Sequence, residues 1–471
     1  MKIKFCGADR TVTGSQHLLE INGKKILLDC GLFQGKRQDA YDINRTFLFD
    51  PEELHCVVLS HAHIDHSGNL PTLHSKGFKG SIYCTSATRD LCSIMLLDSA
   101  HIQEKDTEYV NKRRAKKNQS PFKPLYKIDD ARNVLKSFKT VSYGKTFCID
   151  GLCEAVEVEF FDAGHILGSA MMVLTIKENG RKFKFAFSGD IGRPGLPILK
   201  DPEFIGDVDF IISESTYGGR IHDKANMMDQ QLLAVLKEAV SRGGKIIIPA
   251  FSVGRTQEII YSMSVLFNEG LIEKFPIFID SPLSTKATDI FKMHPECYDK
   301  EFSDMIIRGK EVFELPQIRY VQDVEESKSL NSVTGPCMII SASGMAESGR
   351  ILHHLKNNIE DPKSTILIVG YMAEHTLGRR LIESREEENA SIRIFGDEYF
   401  VHSKIVVLNS FSAHADRDEL LEYFDKFDRN KLQKIFLVHG EIDQQEAFKD
   451  GLKFQNFKDI EIPVKGQVFE I

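Results

Sequence analysis

The chain has 471 residues, 42% of them hydrophobic and 27% charged, a globular composition too long for one ordinary core. No run of 18 apolar residues occurs, and MKIKFCGADRTVTGSQHLLEING lacks a charged start leading into an apolar run, so neither a membrane span nor a signal peptide is expected. The net charge of −8 argues against a large phosphate-binding surface, although a local basic groove or a bound metal can supply positive charge that the sum hides. The 9 cysteines, an odd number without a CxxC pair, point to reduced thiols and a cytoplasmic setting rather than a disulfide framework.

Strand, turn and helix alternate almost throughout. Short runs rich in Ile, Val and Phe read as strands: KKILLD, CVVLS, GSIYCT, EVEFF, FKFAFSGD, VDFIISE, KIIIPA, IFID, CMIISA, STILIVG and KIFLVHG. The stretches 229–243 and 254–270 read as helices between them, and the alternation predicts an α/β fold. The basic run NKRRAKKNQS, 111–120, reads first as a solvated helix end or loop and second as a nucleic-acid contact. Donor side chains collect up to Tyr217 and again from Ser391, while 218–390 is a self-contained run of strand–helix units. If the outer parts share one site, the middle is an insertion, giving domains 1–217, 218–390 and 391–471.

The segment VVLSHAHIDHSGNL, 57–70, turns from apolar strand to a crowd of donors. In extended chain His61 and His63 point to the same side. A turn into a helix then aims Asp65 and His66 at a neighbouring point, so one hexapeptide can furnish two ligand pairs for two adjacent metals. Imidazole and carboxylate without thiolate suit Zn(II), with Mn(II) or Fe(II) as alternatives. Asp29, His165, Asp190, Glu214, His414 and His439 also follow apolar strands, the end at which open α/β sheets gather their sites. Each alone reads equally as a turn or capping group; together they do not read as coincidence. Glycines flank several of them (Gly31, Gly68, Gly164, Gly189 and Gly440) and allow close backbone approach.

These residues resemble a known family. Asp29 in LLDCG, the HAHIDHSG segment, His165 in GHILGSA and Asp190 in FSGDIGR are similar to motifs one to four of the metallo-β-lactamase fold. ESTYGGR, IIPAFSVGRTQE, FIDSPL, ISASGMAESGRILHHL and GYMAEHTLGRRL resemble segments of the β-CASP insertion, and FSAHAD and LVHGE its motifs B and C. The likeness covers nearly the whole chain. It implies an αββα sandwich with an inserted β-CASP α/β domain, and an RNA-processing ribonuclease similar to the cleavage and polyadenylation endonuclease subunit and its bacterial homologues.

By that resemblance His61, His63 and His165 would hold one zinc, Asp65, His66 and His439 the other, and Asp190 would bridge them, with manganese as the alternative metal. Asp29 would fix ligands by hydrogen bonds. Glu214 would orient His414, the general acid, and Asp65 would serve in catalysis as well as ligation. Single-stranded RNA would be cut to 5′-phosphate and 3′-hydroxyl ends; relatives often form a homodimer, but the oligomeric state of this chain is not legible. In the insertion, SASGM (341–345) is expected to open a helix that favours an anion, with Ser343, Gly344, Arg255, Arg379 and Arg380 as phosphate partners. Ordinary surface or interdomain pairing of those arginines stands as an equal reading. A small-molecule hydrolase of lactamase or thioester type would need neither the insertion nor His414 with Glu214. DNA-processing members typically lack the histidine that His439 provides, and a non-enzymatic scaffold would lack ligands, none of which is missing here. The particular RNA, internal or 5′-end cutting, and the roles of Tyr217 and His375 are not legible.

Overall fold

The computed structural model describes residues 1–35, 37–370, 372–373, 375–387 and 389–471. The chain divides into two compact units, one of Met1–Gly192, Asp201–Ile221 and His414–Ile471, the other of Arg193–Lys200 and His222–Ala413. The first therefore closes only when the chain returns to it, and the second is an insertion. The return comes at His414 rather than at Ser391. The intervening strand Lys404–Val407 pairs with Thr365–Ile368, and the hairpin Ser391–Ile394 with Asp397–Phe400 precedes it. The octet 193–200 also belongs to the second unit, where Leu199 bridges to Tyr298.

Two seven-stranded sheets build the first unit. One runs Val468–Glu470, Lys2–Gly7, Gln16–Ile21, Lys24–Leu28, Leu54–Val58, Ser81–Cys84 and Phe138–Thr140. The other runs Ile460–Glu461, Lys434–Leu437, Phe210–Ser213, Arg181–Phe187, Ala170–Glu178, Val156–Asp162 and Phe147–Cys148. Alternation puts one set of side chains between the sheets: Phe5, Leu19, Ile26, Leu28 and Val58 from the first meet Val158, Phe160, Met172, Leu174 and Phe185 from the second. The opposite face of the second sheet (Val173, Ala186, Ile211, Ile435) is covered by the helices Arg417–Asp425 and Ile442–Phe454 through Leu420, Phe424, Phe448 and Leu452. The result is the expected αββα sandwich, and the strands that the sequence marks emerge together at one end of it.

The second unit holds a six-stranded, wholly parallel sheet ordered Ile318–Tyr320, Ile277–Ile279, Cys337–Ser341, Lys245–Pro249, Thr365–Ile368 and Lys404–Val407. Its central strands, IIIP, CMIIS and TILI, are buried on both faces, which is why they read as unbroken apolar runs. The predicted helices 229–243 and 254–270 appear as Met228–Arg242 and Arg255–Asn268.

Two further expectations change. SASGM does not open a helix: residues 342–350 form a looped segment and the helix starts at Ile351. Ser343 Oγ accepts from the amides of Glu347 (3.0 Å) and Ser348 (3.3 Å), and Ala346 and Gly349 take positive φ, which suits a turn and not a helix. Second, Cys148 and Cys153 are disulfide-bonded, because the turn between them brings their Cα atoms to 4.7 Å, whereas the other seven cysteines are buried thiols. Among the described residues no helix is long and apolar enough to cross a membrane.

Candidate metal centre

The strand Leu54–Val58 delivers the HxHxDH segment, and a one-turn helix, Ile64–Ser67, starts directly after His63. The extended half sets the rings of His61 and His63 5.0 Å apart. The helical half carries Asp65 and His66 to a different set of neighbours. His61, His63, His165 and Asp190 form one group with donor atoms all within 4.8 Å of one another; Asp65, His66 and His439 form a second. Asp190 faces both: Oδ2 is 3.5 Å from Nε2 of His61 and of His165, and Oδ1 is 3.3 Å from His66 Nε2 and 3.5 Å from His439 Nδ1. The seven predicted ligands thus meet within the first unit.

Surrounding groups fix how the rings present themselves. Asp29 Oδ2 accepts from His66 Nδ1 at 2.6 Å, and Asp29 in turn accepts from Ser60 N (2.8 Å), Ser60 Oγ (2.8 Å) and Ser15 Oγ (3.3 Å). Ser60 Oγ also sits 3.0 Å from His61 Nδ1, and Thr216 Oγ1 3.0 Å from His439 Nδ1. Ser169 Oγ accepts from the His165 amide at 3.0 Å. Such partners orient metal-binding imidazoles and raise their basicity. Sequence reasoning passed over Ser15, Ser60, Ser169 and Thr216; adjacency to the donors (Ser60 beside His61, Thr216 near Glu214) was the available signal. Asp29 and His439 themselves leave their strands at φ 57° and 51°, a left-handed conformation unusual for non-glycine residues and frequent at functional sites.

Close packing needs glycine at two points. A Cβ on Gly31 would stand 1.6 Å from the carbonyl oxygen of Asp65, and one on Gly192 1.9 Å from that of Gly164.

The electrostatics favour cations. Burial, reinforced by neighbouring imidazoles, drives His61 and His165 well below the ordinary histidine value and His63 down to about 4, so their lone pairs are available. Against burial, Asp190 and Asp29 raise His66 well above its usual value. Burial likewise opposes ionisation of Asp190, yet the surrounding imidazoles hold it well below the carboxylate range, and a hydrogen bond with His439 helps hold Asp65 low. Buried Nε2 of His61 and Oδ1 of Asp190 have no hydrogen-bond partner. Orphaned donor atoms of this kind, converging in a histidine–carboxylate set without thiolate, fit divalent metal.

His414 stands beside the groups, 18% exposed, its ring 4.4 Å from that of His165. Its Nδ1 lies 3.1 and 3.2 Å from the two oxygens of Glu214, and its Nε2 3.9 Å from Asp190 Oδ2. Against burial, Glu214 and Asp190 push it up to about 9. Asp190, Glu214 and His414 also have donor atoms within 4.8 Å, but Glu214 is already engaged, accepting from Ile191 N (2.6 Å) and Thr216 N (3.3 Å). Tyr217, unassigned by sequence, packs its ring 6.1 Å from His414. His17, also unforeseen, is buried between Phe5 and Phe187 with both ring nitrogens lacking hydrogen bonds, and burial takes it to about 3.

The expected phosphate partners all lie in the second unit. Arg255 is not an open contact: it is buried, ion-paired with Glu258 and 5.6 Å from the Phe411 ring centroid. Gly344 is buried under the Phe251 ring, and Ser343 is engaged within its own loop. Arg379 pairs with Glu383 at 2.7 Å on the helix Leu377–Glu383, and exposed Arg380 donates to His375 O at 3.4 Å. Tyr371 and Glu374 of GYMAEHTLGRRL lie outside the described residues.

Family models match three stretches: a metallo-beta-lactamase superfamily domain over 18–186, a Beta-Casp domain over 256–381, and a Zn-dependent metallo-hydrolase RNA specificity domain over 398–464. The chain is 34% identical over 442 residues to Ribonuclease TTHA0252 of Thermus thermophilus, covering 94% of this chain and 93% of that protein. It is 30% identical over 479 residues to an RNase J-like protein of Methanocaldococcus jannaschii, covering 100% and 99%. It is 31% identical over 455 residues to Transcription termination factor FttA of Methanothermobacter thermautotrophicus, covering 93% of this chain and 67% of that protein. A sandwich whose donors meet on Asp190, an insertion of parallel sheet, and a returning segment that brings His414 and His439 therefore have one explanation: the chain belongs to the β-CASP family of metallo-β-lactamase-fold metal-dependent hydrolases.

Proposed function

We propose that the chain is a metal-dependent ribonuclease that hydrolyses phosphodiester bonds of single-stranded RNA to 5′-phosphate and 3′-hydroxyl ends. Asp190 carries this reading, because its two oxygens face two separate donor groups. His61, His63 and His165 would hold one ion and Asp65, His66 and His439 the other, with Asp190 shared. The donor set suits zinc, with manganese the alternative. When bound, two such ions supply an activated water and offset charge on the phosphoryl oxygens.

The protein's own part is positioning and proton transfer. Asp29 and Thr216 hold His66 and His439 by Nδ1. Glu214 holds His414 by Nδ1 and favours its charged form, so that Nε2 carries the proton given to the leaving 3′-oxygen. The relatives named as ribonucleases support RNA as the substrate. The seven buried thiols support a cytoplasmic setting, and the Cys148–Cys153 disulfide stands against it.

End-labelled RNA incubated with and without chelator tests the reading, with the 5′ ends of the products assayed for phosphate. Cleavage should require metal, and Asp190→Ala should lose both ions and the activity. Undiminished cleavage after metal stripping, or two ions retained in that variant, would refute it.

A further inference from the structure

One surface of the first unit departs from the charge of the whole. Residues 111–127 contain seven lysines and arginines and no acid, in a chain of net charge −8. They form the end of the helix Ser86–Ala115 and the loop beyond it. That loop is built back onto the helix. Asn111 brackets Phe122, accepting from its amide at 2.7 Å and donating to its carbonyl at 2.9 Å, and Arg114 Nε donates to Ser120 O at 2.7 Å. Arg45 donates to Lys123 O at 2.5 Å and stacks on Tyr41, whose ring lies 4.3 Å from that of Phe122.

This bracing holds Lys112, Arg113, Lys116, Lys117, Lys123 and Lys127 exposed on one surface, and among the described residues none of them makes an ion pair. Tyr109, 62% exposed, lies beside them with the Arg113 guanidinium 5.9 Å from its ring centroid. The helix C-terminus favours Lys112, Arg113 and Arg114 in its last turn, but Lys123 and Lys127 lie beyond the helix, where its dipole does not offset the repulsion of like charges. An ordered, unpaired basic surface with an open aromatic ring is what a phosphate backbone with stackable bases requires.

We propose that this basic helix end is a second RNA contact, holding phosphates of the strand at a distance from the metal centre; the inference rests on the ribonuclease reading. The other end of the same helix is fastened to the metal centre. Thr85 Oγ1 and Thr88 Oγ1 both donate to the carbonyl of Gly168, at 2.7 and 2.8 Å, three residues after His165. Thirty residues of helix span about 45 Å, roughly 13 stacked nucleotides. Only RNAs of about that length or more engage both places.

Binding of fluorescein-labelled RNA, followed by anisotropy with chelator present so that nothing is cut, tests the contact. The variant K112Q/R113Q/K116Q/K117Q is compared with K24Q/K177Q/K182Q/K184Q, which removes the same charge from other exposed positions of the same unit. The first should weaken binding of an RNA of about 30 nucleotides by roughly tenfold or more and reduce the log–log salt slope by about 3, at about 0.7 per lost phosphate contact. Binding of an RNA of about 6 nucleotides should not respond, nor should the control variant affect either length. Equal losses in both variants, or an unchanged long RNA, overturn the proposal and leave the surface to an acidic protein partner. Binding is read apart from cleavage, so a chain that needs these cations for long RNA yet cuts none refutes the ribonuclease reading and not the contact.

Discussion

Asp29 Oδ2 lies 2.6 Å from His66 Nδ1, and both side chains are buried. A carboxylate only accepts, so Nδ1 donates, and Nε2 turns to Asp190 at 3.3 Å and His439 Nε2 at 3.1 Å. One carboxylate outside the donor groups thereby decides whether the second group can accept an ion.

Asp29→Ala should accordingly weaken metal at the Asp65–His66–His439 group by about 10- to 100-fold, the usual consequence of losing an orienting partner. Zinc titration against a competing chelator, with the two occupancies resolved, measures it. The His61–His63–His165 group should respond less, although Ser60 links Asp29 to His61.

His414→Ala should keep both metals and lose about 10²- to 10⁴-fold in kcat, as expected for removal of a general acid. A phosphodiester with a p-nitrophenolate leaving group, which needs no proton, should lose far less. Under the proposed role the charged imidazole is the active form, so kcat should fall as pH rises through the His414 pKa. Glu214→Gln removes the carboxylate that favours that form and should move the alkaline limb of the kcat profile to lower pH, read from RNA cleavage across a pH series.

Gly31→Ala tests the packing behind the site. The added methyl falls on the Asp65 carbonyl, which is backbone and cannot swing away. The variant should lose about 1–3 kcal/mol of stability, as overpacked sites do. It should also lose metal at the Asp65 group, and thermal unfolding with metal analysis follows both.

In the second unit, Asp280 accepts from His354 Nε2 and Arg350 NH1, each at 2.6 Å, and from Ser327 Oγ at 2.5 Å. Burial alone would raise its pKa, but these hydrogen bonds hold it below the carboxylate value. A lowered folded pKa stabilises the protein above the unfolded value near 4 and loses that benefit as pH falls through the folded value. Asp280→Ala should cost about 3–5 kcal/mol near neutrality, typical of a broken buried pair. The gap from wild type in denaturant midpoint should shrink under acid.

The metal centre was legible because its donors sit at strand exits, where the apolar run and the polar residue are adjacent in sequence. His61 through His66 needed only the period of a strand and the turn of a helix. What stayed hidden depends on segments remote from one another. Thr216 meets His439 across more than two hundred residues, and nothing in the order of the chain announces it. For Arg255 the sequence left phosphate contact and ordinary pairing as equal readings; its burial against Glu258 is a product of tertiary packing. The return, expected at Ser391, comes at His414 because Lys404–Val407, absent from the strands the sequence marks, pairs with Thr365–Ile368 in the second unit.

His414, His439 and the strand Lys434–Leu437 all come from the returning segment, and that strand lies between Phe210–Ser213 and Ile460–Glu461. A chain cut between Ala413 and His414 lacks both histidines, and Asp190 then faces a second group reduced to Asp65 and His66. The donor set therefore closes only when the returning segment pairs back into the second sheet.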